Sequence, residues 1–358
     1  MLKDNYDITL SQLDLIIFDK LVAQDHYLRL LKAAIDFEPC RALVAPCYSP
    51  DMGRAALDPV RLLKLLLLEF HYDLSDDGVI GQAQVNVAFR FFLDLPLDFR
   101  LPDPSLLSQF RTRLTADRFN EIFQEILRQA RSSGLVKDRL RVKDATHLLA
   151  NIAVPSTIAL VAQMRTQLLD AARPFAPEEV AAQHRRAEEI RISTCDLKDE
   201  IRLLRRVEHL REIVCWGDQW LEKWERGEEV GCWDKQAEAM KSALELAHKV
   251  LRDRQEKASD KVVSIVDPDA RRNKHGQYYT GYLVDVSMDA DSELICGIDA
   301  IAANADEAAN AVELIKREEA AHKVDIQSLS MDAIGYNGAV LQELSDEQEG
   351  PQLYQTRP

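Results

Sequence analysis

The sequence predicts an α+β chain: an all-helical N-terminal domain, then a β-sheet domain interrupted by a long helical insertion. Three observations predict it. Apolar residues recur at helical spacing up to about residue 130. Period-two alternation, the mark of a half-buried strand, appears at Arg139–Thr146 and resumes beyond residue 261. Between those stretches, from Ser156 to Lys261, the spacing is helical again. The expected boundaries are 1–135 for the helical domain, 136–155 with 261–358 for the sheet domain, and 156–260 for the insertion. At 358 residues the chain is long enough for several cores.

In the first domain, Asp58 suits an N-cap and Pro59 a first helical position, opening a helix over Val60–Phe70. Its leucines cover most of the circumference, which predicts burial. Ser75-Asp76-Asp77 caps a second helix, and Asn86–Leu93 forms a third, carrying Phe89, Phe91 and Phe92. After a proline-punctuated loop, Ser105 caps a helix bearing Arg111 and Arg113, with Arg118 further on. Two readings stand: a helix-turn-helix-like DNA reader using these arginines, or a bundle whose arginines are merely solvated.

The strand at Arg139–Thr146 is expected to end at Asp144, with Leu148–Ala153 as a separate strand. In the insertion, Leu197, Ile201, Leu204, Val207, Leu210 and Val214 recur at three- and four-residue steps, predicting a helical hairpin or antiparallel coiled coil. Pro174 and Pro177 break it early; Gly227 and Gly231 mark a turn. Trp216, Trp220 and Trp224 share one face, either as a helix–helix seam or as a stacking platform for unpaired bases. Strands follow at Val262–Val266, Tyr278–Val286 and Leu294–Ile298. A helix over Asp306–Ala321, a strand to Asp332, a helix over Asn337–Leu344 and a strand at Gln352–Tyr354 complete the domain. With the insertion set aside, this is the ribonuclease H-like order of elements.

Charge and composition narrow the function. The net charge is −15, but residues 1–143 hold 19 Lys/Arg against 20 Asp/Glu, so the acidity lies downstream. DNA binding then requires a local basic face. Six scattered cysteines without a C-x-x-C pair argue against disulfides and a zinc knuckle. No phosphate-binding glycine frame surrounds Gly276, so no nucleotide cofactor is expected. The Leu62–Leu68 run is too short for a membrane span, and the N-terminus lacks signal-peptide character; a cytoplasmic protein, nucleoid-associated when bound to DNA, is expected.

The chemistry rests on two aspartates. Asp144 and Asp332 each sit where a strand should finish. Carboxylates at neighbouring strand ends can share two Mg²⁺ (or Mn²⁺) ions about 4 Å apart, which activate an oxygen nucleophile and stabilise the leaving oxygen of a phosphodiester. Asp144 is the candidate bridging ligand and Asp332 an outer one; turn or cap chemistry is the plain alternative for each. Arg271, Arg272 and Lys274, after Asp267-Pro268-Asp269, are candidate phosphate contacts.

These segments resemble one family in order along nearly the whole chain. Asp58-Pro59-Val60-Arg61-Leu62-Leu63-Lys64, Phe89-Arg90-Phe91-Phe92-Leu93 and Pro102-Asp103-Pro104-Ser105 through Leu114 are similar to the N-terminal domain of bacterial insertion-sequence transposases of the DDE class, in the IS1182-like, IS4/IS5-related group. Lys143-Asp144-Ala145-Thr146-His147-Leu148 resembles its first aspartate motif. Asp267–Arg271 and Gly281–Asp289 match its mid-domain landmarks, and Met331-Asp332-Ala333-Ile334-Gly335-Tyr336 its second aspartate motif. The resemblance implies catalytic, metal-binding Asp144 and Asp332, a ribonuclease H-like fold, double-stranded terminal-repeat DNA as substrate, and DNA cleavage with strand transfer. It also implies a third acid, a glutamate on a later helix. The sequence given runs only 26 residues past Asp332, and Glu343, Glu347 and Glu349 come too early for that role. The expectation is therefore a C-terminally truncated, inactive transposase. The alternative is a non-catalytic DNA-binding or homodimerising remnant that inhibits a full-length relative.

Overall fold

A computed structural model describes residues 6, 8–49, 56–227, 234–255, 258, 260–306, 310–331 and 352–355, in two compact units, Met1–Lys137 and Asp138–Pro358. The first unit holds eight α-helices among its described residues: α1 (Gln12–Leu21), α2 (Tyr27–Ala34), α3 (Pro39–Val44), α4 (Pro59–His71), α5 (Asp76–Val85), α6 (Val87–Phe92), α7 (Ser105–Arg113) and α8 (Ala116–Ser132). Local chemistry sets their starts. The Asp58 carboxylate accepts from the Val60 N–H, the Ser75 hydroxyl from Gly78, and Asn86 from Ala88. Pro104, not Ser105, occupies the cap position of α7; Asp103 instead accepts from the Ser105 N–H.

Helix α4 is the hub, with Val60, Leu62, Leu63, Leu65, Leu66 and Leu68 all buried in one core with Phe89, Phe92, Leu107 and Phe110. Arg90 is also buried, its guanidinium donating to the carbonyls of Gln84, Pro96 and Phe99. These bonds supply the partners a buried charge needs and fix the proline-rich loop.

The second unit opens with strand β1 (Arg141–Leu149), then helices α9 (Thr157–Ala172), α10 (Pro177–Ser193), α11 (Asp199–Glu225) and α12 (Asp234–Gln255). Strands β2 (Arg271–His275), β3 (Gln277–Asp289) and β4 (Ile295–Ala302) follow, then helix α13 (Ala311–His322), strand β5 (Ser328–Met331) and strand β6 (Gln352–Gln355). The insertion thus contains four helices, more than a hairpin, sharing one core of Met164, Leu168, Leu210, Val214, Met240 and Leu244 among others. Gly217 of α11 lets α12 approach closely, since a Cβ there would lie 2.6 Å from the Met240 methyl. The aromatic stripe packs against this core: Trp220 is buried and stacks on Phe175 with ring centroids 3.6 Å apart.

The sheet runs β2-β3-β1-β5-β6, with β4 also on β3. β2 and β4 share one edge of β3, pairing with its first and second halves, and β1 takes the other edge antiparallel. β5 is parallel to β1, and β6 is parallel to β5. Gly281 marks the β1–β3 pairing, because a Cβ there would fall 1.9 Å from the Leu148 carbonyl oxygen.

Three strand expectations are corrected. β1 does not end at Asp144 but runs on to Leu149, so Leu148 begins no new strand. Val262–Val266 is not a strand: Val262 packs into the helical core and its N–H donates to Asp253. Arg271–His275, ahead of the first strand expected after the Asp267-Pro268-Asp269 turn, is itself a strand, turned into β3 at Gly276 with φ +67°. The strand expected at Gln352–Tyr354 is present as β6. The helix expected at Asn337–Leu344, and Glu343, Glu347, Glu349 and Gly231, lie outside the described residues.

Candidate active-site strand

Strand β1 alternates its side chains between two different environments. Arg141 and Lys143 are buried, with Asp285, Ser287 and Asp289 of β3 also buried on that face. Arg141 donates to Glu318 of α13 at 2.7 Å, to Asp289 at 2.7 Å, and to Asp138. Burial works against its charge, but the Glu318 carboxylate holds the guanidinium above its ordinary pKa. Lys143 Nζ lies 2.9 Å from Asp285 Oδ1, an ion pair buried on both sides. Burial pushes the Asp285 carboxyl up despite that lysine.

Asp144 faces the other way. It is exposed, opposite Val286 of β3, and its Oδ1 accepts from the Ala145 N–H at 2.9 Å. Among the described residues no lysine or arginine pairs with it. It therefore keeps acceptor capacity that Asp285, Asp289 and Glu318 have committed to cations. On the other side of β1, Arg141 pairs with Leu329 and Val142 with Ser330 of β5. Asp332, the second expected ligand, lies outside the described residues. Among the described residues, no group of three His, Cys, Asp or Glu side chains could hold a metal ion.

The six candidate DNA-contacting cations are placed very differently. Arg111 is bound within its own unit, to Glu69 at 3.0 Å and Asp76 at 2.7 Å, where it ties α7 to α4 and α5. Arg113 lies over the Tyr48 ring at 4.5 Å. Arg118, on α8, pairs with Glu121. Arg271 is largely covered and pairs with Asp260. Arg272 and Lys274 are exposed on β2, their charges 4.7 and 5.7 Å from the centroid of the exposed Tyr278 ring. Sequence reasoning missed Tyr278. The signal was its place two residues beyond Gly276, which a hairpin puts opposite Lys274.

With this geometry in view, the comparisons are informative for the first unit. Residues 16–113 match a family model described as a transposase domain (DUF772). The likeness is to a transposase family. The matched stretch starts within α1 and ends with α7, so it contains Arg111 and Arg113 but neither Arg118 nor Asp144. No curated protein and no solved structure matches the chain. Among the described residues, no helix is long and apolar enough to cross a membrane.

Proposed function

We propose that this chain is a DNA transposase of the DDE type, with a ribonuclease H-like sheet as its catalytic scaffold and Asp144 and Asp332 as metal ligands. The observation that carries the reading is the register of β1 with β5. Paired residues differ by 188 positions (141 with 329, 142 with 330), and Asp144 and Asp332 differ by the same 188. In a parallel pair, residues in register share a face. Two further observations support it. The sheet has an antiparallel trio β4-β3-β1 followed by parallel β5 and β6, with α13 between β4 and β5 in the chain. The transposase domain match upstream supports the family.

The residues present fit a hard divalent cation in part. Asp144 offers an exposed carboxylate oxygen without a competing cation, the donor Mg²⁺ or Mn²⁺ prefers. When bound, such ions activate an oxygen nucleophile and offset charge on the leaving oxygen. The chain's own contribution is positional: the Arg141 and Lys143 ion pairs anchor β1 from behind, so Asp144 sits on a rigid strand. Substrate contact falls to the exposed pair Arg272 and Lys274 beside the Tyr278 ring.

A titration of Mn²⁺ followed by electron paramagnetic resonance tests the metal reading on the intact chain. Asp144→Asn and Asp332→Asn are each expected to weaken binding about tenfold or more. Unchanged affinity in both variants would remove the metal centre. A second reading, DNA binding without cleavage, draws on the Arg272–Tyr278–Lys274 cluster, which needs neither aspartate. It predicts salt-sensitive duplex binding that survives Asp144→Asn, with no Mg²⁺-dependent cutting of terminal-repeat DNA by the unmodified chain.

A further inference from the structure

The helical insertion contains a cavity of about 220 Å³ lined by Arg165 of α9, His184, Glu188 and Arg191 of α10, and Arg206 of α11. Its charges do not balance. Glu188, the carboxylate among these residues, is taken up by Arg191 at 2.5 Å. Arg165 and Arg206 have no carboxylate partner among the described residues, and Arg206 has only the Ile158 carbonyl at 3.4 Å. The Nε atom of Arg165 and the Nε2 atom of His184 are buried without any hydrogen-bond partner.

Arg165 and Arg206 are half-buried, so each guanidinium is partly desolvated with no counter-charge beside it. Desolvation and the nearby Arg206 lower the pKa of Arg165; desolvation and the Arg202 and Arg191 charges lower that of Arg206. His209, beneath them on α11, cannot supply a negative charge and is itself held neutral, its pKa pushed down to about 4 by burial and by Arg165 and Arg186. A small anion with several acceptor oxygens complements this lining. Planar guanidiniums from different helices suit a tetrahedral oxyanion.

We infer that this cavity binds one phosphate group, gripped by Arg165 and Arg206 with His184 as a further donor. The site is independent of Asp144 and of the transposase reading. Two sources present this chemistry: free inorganic phosphate, and the 5′-terminal phosphate of a nucleic-acid strand. The volume accommodates a single phosphate and no duplex backbone.

Calorimetric titration of the intact chain with inorganic phosphate, at constant ionic strength in chloride, tests the site. Saturable one-site binding is expected, with a rise in melting temperature that follows phosphate concentration. Arg165→Gln and Arg206→Gln should each weaken it about tenfold or more, while melting no lower than the unmodified chain without phosphate. Arg206→Lys keeps the charge and should retain part of the affinity. Arg211→Gln, on α11 outside the cavity, should bind as the unmodified chain does. A short oligonucleotide bearing a 5′-phosphate, compared with its 5′-hydroxyl twin, separates the sources. Preference for the phosphorylated strand, lost in Arg206→Gln, assigns the strand end; equal binding of the two, beside saturable inorganic phosphate, assigns the free ion. No saturable phosphate binding, or equal binding by the folded Arg165→Gln and Arg206→Gln chains, overturns the proposal.

Discussion

On β1, Lys143 is buried and ion-paired, while Asp144, one residue on, is exposed and has no cationic partner among the described residues. The step is 3.3 Å of backbone, about one residue's rise in a strand, yet it separates two kinds of charge. Behind the strand, Arg141, Lys143, Asp285, Asp289 and Glu318 compensate one another in a buried network. In front, a carboxylate keeps its oxygens available. A charged residue on a strand is structural or functional according to which face the alternation gives it, and identity alone does not say which.

The comparison can be broken from behind. Arg141→Ala leaves Asp289 and Glu318 buried with no guanidinium between them, and the expected loss is about 3–5 kcal/mol in urea unfolding. A loss under about 1 kcal/mol would mean that the network does not hold the strand. Acid titration reads the buried His209 of the insertion, a contrast to the ion-paired charges behind β1. Its folded pKa of about 4 lies below the ordinary 6.5, so protonation favours unfolding. Its contribution is constant above pH 6.5 and shrinks as pH falls from 6.5 to 4, by about 3 kcal/mol at most. His209→Gln should flatten that limb in pH-dependent denaturation.

Smaller effects test the strand's register and its front face. Gly281→Ala places a Cβ against the Leu148 carbonyl, so β1 and β3 must part locally, at a cost of about 1–3 kcal/mol and with faster amide exchange at Leu148 and Leu149. Asp144→Asn should change stability by no more than about 0.5 kcal/mol, as for an exposed site. A large loss there would show that Asp144 supports the fold rather than a ligand.

Much of this could be read from sequence where local chemistry decides. Asp58-Pro59 opens α4, Ser75 caps α5, and the leucine pattern of α4 buries as its spacing implies. Where distant residues decide, the reading failed. Arg141 and Lys143 look like a solvent face until β3 and α13 supply their counter-charges. Val262–Val266 has strand propensity, but the helical core claims Val262 first. β2 has no β-branched or aromatic residue and is a strand because the hairpin at Gly276 lays it on β3. Asp144 stands out in the sequence through a strand end that does not exist, and its exposed face follows from its place within β1. The unpaired arginines of the insertion, Arg165 and Arg206, lie on two helices and leave no sequence motif at all.

The insertion between β1 and β2 also bears on how the protein is made. Arg141 finds Asp289 148 positions later and Glu318 177 positions later, so a ribosome releases β1 long before either partner exists. During that interval the helices of the insertion can assemble from neighbouring sequence, while β1 waits as an open strand. Arg141, Lys143 and Asp144 then act as gatekeepers, since charge deters the strand from pairing with other nascent chains. The residues that later lock the sheet are thus the ones that keep its first strand safe beforehand.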